Sequence, residues 1–161
     1  NNARRDINLL LTTRAKVTEL RGKLLLNSSG PAGQGGLNLL TGEGTGTVAS
    51  DPTSAEAHIK DEGIDLNLPA ASNWLRQISG INGSTLKIPA DGLVFNDIAT
   101  KNQIVDAWND AGATDVTVSE AVEVDDMFLV NQNDLYFLII VTAVNNTDSD
   151  NADSIEFRIK Y

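Results

Sequence analysis

Cysteine is absent from this chain, histidine and methionine occur once each, and aromatic side chains make up 5% of its 161 residues. Without cysteine there is no disulfide framework, no thiolate metal site and no cysteine nucleophile, so stability must come from packing. The lone histidine, His58, has no second imidazole with which to share a metal. It falls in "SAEAHIKDEG", which reads as a short polar helix, and it is expected at the surface. Basic charge is also scarce: the net charge is −10 and the isoelectric point about 4.4. That argues against nucleic acid as a partner, because phosphate binding needs clustered Lys and Arg. No apolar run reaches the roughly 18 residues that a membrane helix requires, and no signal-peptide pattern is present.

Catalytic motifs are missing too. "GEGTGT" and "GPAGQGG" are glycine-rich but lack the lysine, the preceding strand and the following helix of a phosphate-binding loop. There is no G-x-S-x-G nucleophile elbow. No nucleophile, base and orienting group can be named together, so no enzymatic activity and no resident cofactor are expected.

What is present is ordered along the chain. Residues 1–161 are expected to form a single α+β domain with a helix over 1–27, a connecting region over 28–85 and a sheet region over 86–161. In "NNARRDINLLLTTRAKVTELRGKLLLN" the apolar positions Ala3, Ile7, Leu10, Leu11, Val17, Leu20 and Leu24 recur at three- and four-residue steps, which predicts one long amphipathic helix. Leu9, Leu25 and Leu26 fall off this stripe, and Gly22 would cost a helix about 1 kcal/mol relative to Ala. "GPAGQGG" is expected to end the helix, with Gly30 and Pro31 as the stop. Through residue 26 there are six basic side chains against two acidic ones, a net of +4, which leaves −14 for the rest. A basic start on an acidic body suggests that the two meet, within one copy or between copies.

The middle of the chain, rich in Gly, Ser, Thr and Pro, reads as loop with a strand-like "LNLL" and short helices at "SAEAHIKDEG", "ASNWLRQISG" and "NDIATKNQIVDAWNDAG". "TLKIPADGLVF" is strand-like up to Pro89. "DVTVSEAVEV", "MFLV", "LYFLIIVTAV" and "SIEFRIKY" predict strands, the third buried on both faces and the last alternating, joined by the polar turn "NNTDSDNAD". The expected architecture is therefore a long N-terminal helix packed on a C-terminal antiparallel sheet.

Carboxylates are the remaining candidates. Asp125 and Asp126 lie beside Glu123 between two predicted strands, a cluster that an acidic chain produces by chance. Asp148, Asp150 and Asp153 have the density of hard oxygen ligands found in calcium loops, although the glycine and final glutamate of an EF-hand are missing. Calcium is the candidate ion there. Three sequons, at Asn27, Asn82 and Asn145, are too short a pattern to decide anything.

The opening "NNARRDINLLLTTRAKV" resembles the part of a type IV pilin or type II secretion pseudopilin that follows the membrane-spanning segment. The order helix, irregular loop, antiparallel strands adds to that resemblance. It implies a non-catalytic structural subunit of a cell-surface filament, assembling with copies of itself or related subunits and serving adhesion, motility or secretion. Arg4, Arg5, Arg14 and Lys16 would then be assembly residues. It further implies that contact with a membrane is made only by an apolar segment preceding Asn1, consistent with a chain that starts without Met. The alternative of a different class is a virion structural protein, a capsid decoration or tail subunit.

Overall fold

The computed structural model describes residues 15–161. Over that span the protein is mostly antiparallel β-structure in two sheets. The larger has the strand order β1-β10-β9-β8-β6-β7, with β1 at Glu19–Leu26, β6 at Thr85–Ile88, β7 at Thr114–Val116, β8 at Met127–Gln132, β9 at Leu135–Asn145 and β10 at Ser154–Lys160. The smaller has the order β3-β2-β4-β5, from Gly44–Thr45, Gly36–Leu37, Ile59–Asp61 and Ile78–Gly80. One α-helix, α1 at Lys101–Trp108, stands among the described residues. The expected α+β fold with a long N-terminal helix is thus corrected: the sheet meets a second sheet on one face and a short helix from mid-chain on the other.

The segment expected to be helical through residue 27 is a strand from Glu19 onward, and its earlier part, with Ile7 and Leu10, lies outside the described residues. The misreading has a physical origin. A step of three residues keeps one face of a helix but changes face in a strand. Val17 packs under α1, whereas Leu20 packs between the sheets. In the ladder to β10, Leu20 pairs with Ile159 and Lys23 with Phe157, so Arg21 and Gly22 together oppose Arg158. This is a β-bulge, and Gly22 supplies its left-handed residue at φ +63°. Beyond the bulge the inward residue is Leu25, fully buried, while Leu24 of the helical stripe is 42% exposed.

The hydrophobic runs near the C-terminus behave as their composition demands. β9 is buried on both faces: Phe137, Ile139 and Val141 point between the sheets, and Leu138 and Ile140 point toward α1. Alternation in β10 sends Ile155, Phe157 and Ile159 into the same inter-sheet core. From the small sheet, Leu37, Ile59 and Ile78 complete it. On the other face Phe95, Ile98, Ile104, Leu129 and Leu138 form a second, smaller core. A capping box between Thr100 and Gln103 starts α1 above it.

The middle region is more regular than its composition suggests. "SAEAHIKDEG" divides into a 3-10 turn, Pro52–Glu56, capped by Asp51, and strand β4. "ASNWLRQISG" is not a helix: Trp74 bridges Ile64, and Ile78–Gly80 is β5. Of "NDIATKNQIVDAWNDAG" only Lys101–Trp108 is α-helical. "DVTVSEAVEV" contributes β7 and an isolated bridge from Val118 to Ser79.

Gly22→Ala separates strand from helix by sign. In a helix it would stabilise by about 1 kcal/mol. In the bulge nothing lies within 4 Å of an added Cβ, so the effect is backbone strain alone. A loss of about 1–2 kcal/mol in urea unfolding is expected.

Candidate functional site

The titratable groups that the fold buries are held by local bonds. His58 is not at the surface: it is 4% exposed, stacked edge-on against Phe137 at 4.9 Å, and its Nδ1 accepts a hydrogen bond from the Leu39 amide at 3.1 Å. Burial lowers its pKa, which keeps it neutral. Lys160, at the end of β10, donates to the carbonyls of Phe95 and Ile98 at 2.8 Å each and lies over the Phe95 ring. Burial pulls its ammonium below the ordinary value. Glu62 accepts a hydrogen bond from the Ser79 hydroxyl and pairs with Lys60 at 3.1 Å. Burial pushes that carboxyl up, but these two partners outweigh it and hold the pKa below the ordinary value. A carboxylate so stabilised is a poor base for activating Ser79.

Two buried carboxylates grip the turn after β1. Asp61 is 3% exposed; its Oδ2 accepts from the Ser28 and Gly63 amides at 2.9 and 2.8 Å, and its Oδ1 from Trp74 Nε1 at 2.8 Å. Desolvation raises its pKa, and the three donors only partly oppose that rise. Asp153 is 1% exposed; Asn27 Nδ2 donates to its Oδ2 at 2.7 Å, and the Thr147 amide and hydroxyl donate to its Oδ1 at 2.7 and 3.1 Å. Period-two alternation was the available signal: read as a strand, Ile59-Lys60-Asp61 turns Asp61 inward beside Ile59.

The proposed calcium ligands are therefore dispersed in role. Asp153 is occupied by Asn27 and Thr147, Asp150 accepts from Thr147 Oγ1 and the Ala152 amide, and Asp148 is exposed. Among the described residues, no three His, Cys, Asp or Glu side chains are grouped as a metal would require. Of the four assembly residues, Arg4, Arg5 and Arg14 lie outside the described residues. Lys16 is exposed in an extended stretch, bridged to Thr100 just before α1. Asn27, the first sequon, is buried and bonded to Asp153.

Among the described residues, one surface depression combines an apolar wall with charge of a single sign. Beside α1, the loop after β6 and the start of β8 enclose a groove of about 340 Å³. Its wall is apolar, from Ile88, Pro89, Leu93, Met127 and Phe128. Its rim is acidic, with Asp91, Glu120, Asp125 and Asp126, and among the described residues no Lys or Arg lines it. A second depression of about 330 Å³ shares Leu93, Asp125 and Met127 and runs on to Phe95, Ile140 and Arg158. Asp125 holds φ +76°, a strained conformation for a residue with a side chain, kept by its amide bonding to the Val141 carbonyl at 2.9 Å. Ile88, Val94 and Val124 stand exposed around the groove, an apolar margin of the kind that marks interaction surfaces. In the sequence this cluster was visible only as Asp125 and Asp126 beside Glu123; the apolar wall comes from Ile88 to Leu93, which nothing in the linear pattern joins to it.

Comparison with protein-family models, with curated proteins and with solved structures gave no match to this chain.

Two stability measurements test the buried carboxylates. Asp153→Asn forces an amide against a donor and is expected to cost about 1–3 kcal/mol, against at most about 0.5 kcal/mol for exposed Asp148→Asn. A calcium-ligand role would make the two variants alike only when calcium is added. For Asp61 the folded pKa lies above the ordinary 3.8. Its contribution is therefore fully present below that value and is lost as pH rises through the folded pKa. The stability gap between the native chain and Asp61→Asn should narrow from pH 3 to pH 7, as read from paired urea midpoints; a gap that widens would contradict the raised pKa.

Proposed function

We propose that this protein is a non-catalytic structural subunit of a surface filament, of the type IV pilin or pseudopilin kind, whose β-sandwich body is displayed outside the cell and assembles with copies of itself. The observation that carries the reading is the division of chemical labour. The buried titratable groups His58, Asp61, Asp153 and Lys160 are each committed to hydrogen bonds that hold loops and strands. The groove beside α1 has an apolar wall and a one-signed rim, which suits contact with another chain better than turnover of a small molecule. Charge asymmetry adds support: a start of +4 and a remainder of −14 attract one another between copies.

The family part of the proposal rests on the sequence at the start of the chain, since Ala15–Leu26 is extended rather than helical. Neither nucleic acid nor a cofactor has a place in this reading.

Filaments sheared from producing cells should react with antibodies raised against this chain, with label spaced along the shaft in electron micrographs. Reaction confined to the soluble cell fraction would sink the proposal.

A further inference from the structure

We infer that the acid-rimmed groove beside α1 is the receptor for residues 1–14 of a neighbouring copy of this chain. The inference rests on the assembly reading above and names its contact.

Complementarity is the argument. Residues 1–14 carry Arg4, Arg5 and Arg14 against the single Asp6, with Ile7 and Leu9–Leu11 between the arginines. The groove presents the converse, four carboxylates around an apolar wall. An arginine guanidinium suits carboxylate rims because its planar donors pair with two oxygens at once, and its alkyl stem lies on apolar surface. The wall is about the size of a few aliphatic side chains, so leucine side chains would fill it while the arginines engage Asp91, Glu120 and Asp126.

The site has an ordered floor. Met127 and Phe128 belong to β8, a central strand of the large sheet, and Phe128 is itself part of the inter-sheet core. The strained Asp125 fixes the rim loop to β9 through the Val141 carbonyl. Such a surface is organised before a partner arrives, which reduces the ordering cost of association.

The donor side is anchored as well. The Ala15 carbonyl accepts from the Lys101 amide at 2.9 Å and the Val17 amide donates to the Ala99 carbonyl at 3.1 Å, so the segment departs from a fixed point at the start of α1. A contact in which each subunit gives its segment to one neighbour and receives one from another is heterologous, the kind of contact from which rings or filaments are built.

The test uses full-length chains and complementation. One variant carries Arg4→Glu, Arg5→Glu and Arg14→Glu, which reverses the donor and leaves the groove intact. The other carries Asp91→Lys and Glu120→Lys, two exposed side chains, which reverses the groove and leaves the donor intact. Circular dichroism and unfolding midpoints confirm that both fold. In sedimentation at low salt the native chain is expected to self-associate with concentration, and each variant alone about tenfold more weakly. An equimolar mixture of the two should regain association, because the intact donor meets the intact groove and the reversed donor meets the reversed groove. If the native chain associates but neither reversal weakens it, the inference is overturned while the assembly reading stands. If the mixture shows no heterodimer although each variant is impaired, the segment docks within its own copy and the inference fails. A native chain that remains monomeric throughout overturns both.

Discussion

The turn at Asn27–Ser29 holds the two sheets to each other, and two buried carboxylates hold the turn. Asp61 comes from the small sheet, Asp153 from the start of β10 in the large one, and both receive donors from the same short stretch after β1. Among the described residues, neither has a cation as a hydrogen-bonding partner. Each anion is compensated by amide, indole and hydroxyl dipoles, which is sufficient only if every donor is in place. Hydrogen bonds to a charged group are worth about 1.5–3 kcal/mol each, so losing one is felt across the whole arrangement. For Asp61 the desolvation still exceeds the compensation, as its raised pKa shows. The fold tolerates that cost because the clamp fixes how the chain leaves β1 of the large sheet and passes to β2 of the small one.

The rest of the body follows from this junction. With the sheets registered, Leu37, Ile59 and Ile78 reach the face of β9 and β10, and the inter-sheet core closes around Phe137 and Phe157. Among the described residues, the opposite face of the large sheet is covered by α1 and the loop around Phe95. α1 has a single fully buried residue, Ile104, and shares the face with the loop around Phe95. At the ends of β6 and β8, Ile88, the loop after it, Met127 and Phe128 line the groove.

The parts of this fold that the sequence made legible are those in which a local pattern and the tertiary role agree. β9 and β10 announce themselves because β-branched and aromatic residues run or alternate there, and the structure uses both patterns as written. β1 and the residues leading into it were illegible because both of their faces carry apolar residues, so Val17 on one face and Leu20 on the other fall three positions apart and mimic a helix. Gly22 was the clue against it: a residue unfavourable to a helix is the one that a bulge favours. The small sheet was missed because its strands are two or three residues long, below the length at which alternation can be seen. His58 was misplaced for the same reason, since its burial depends on Phe137, nearly eighty positions away in the chain. Of the groove, only the acidic half was visible; its apolar wall is assembled by pairing β6 with β8.

The bulge in β1 also bears on how copies of this protein can meet. Among the described residues β1 is the outermost strand of the large sheet, and β7, three residues long, is the other border. A straight, flat border would invite a neighbour to add its own strand and continue the hydrogen-bond ladder without limit. The kink at Gly22 and the exposed Arg21 beside it interrupt the first border, and brevity protects the second. In an assembly of the kind proposed, these borders would disfavour strand-to-strand stacking between copies and leave contacts between surfaces that can be made and undone without unfolding a subunit.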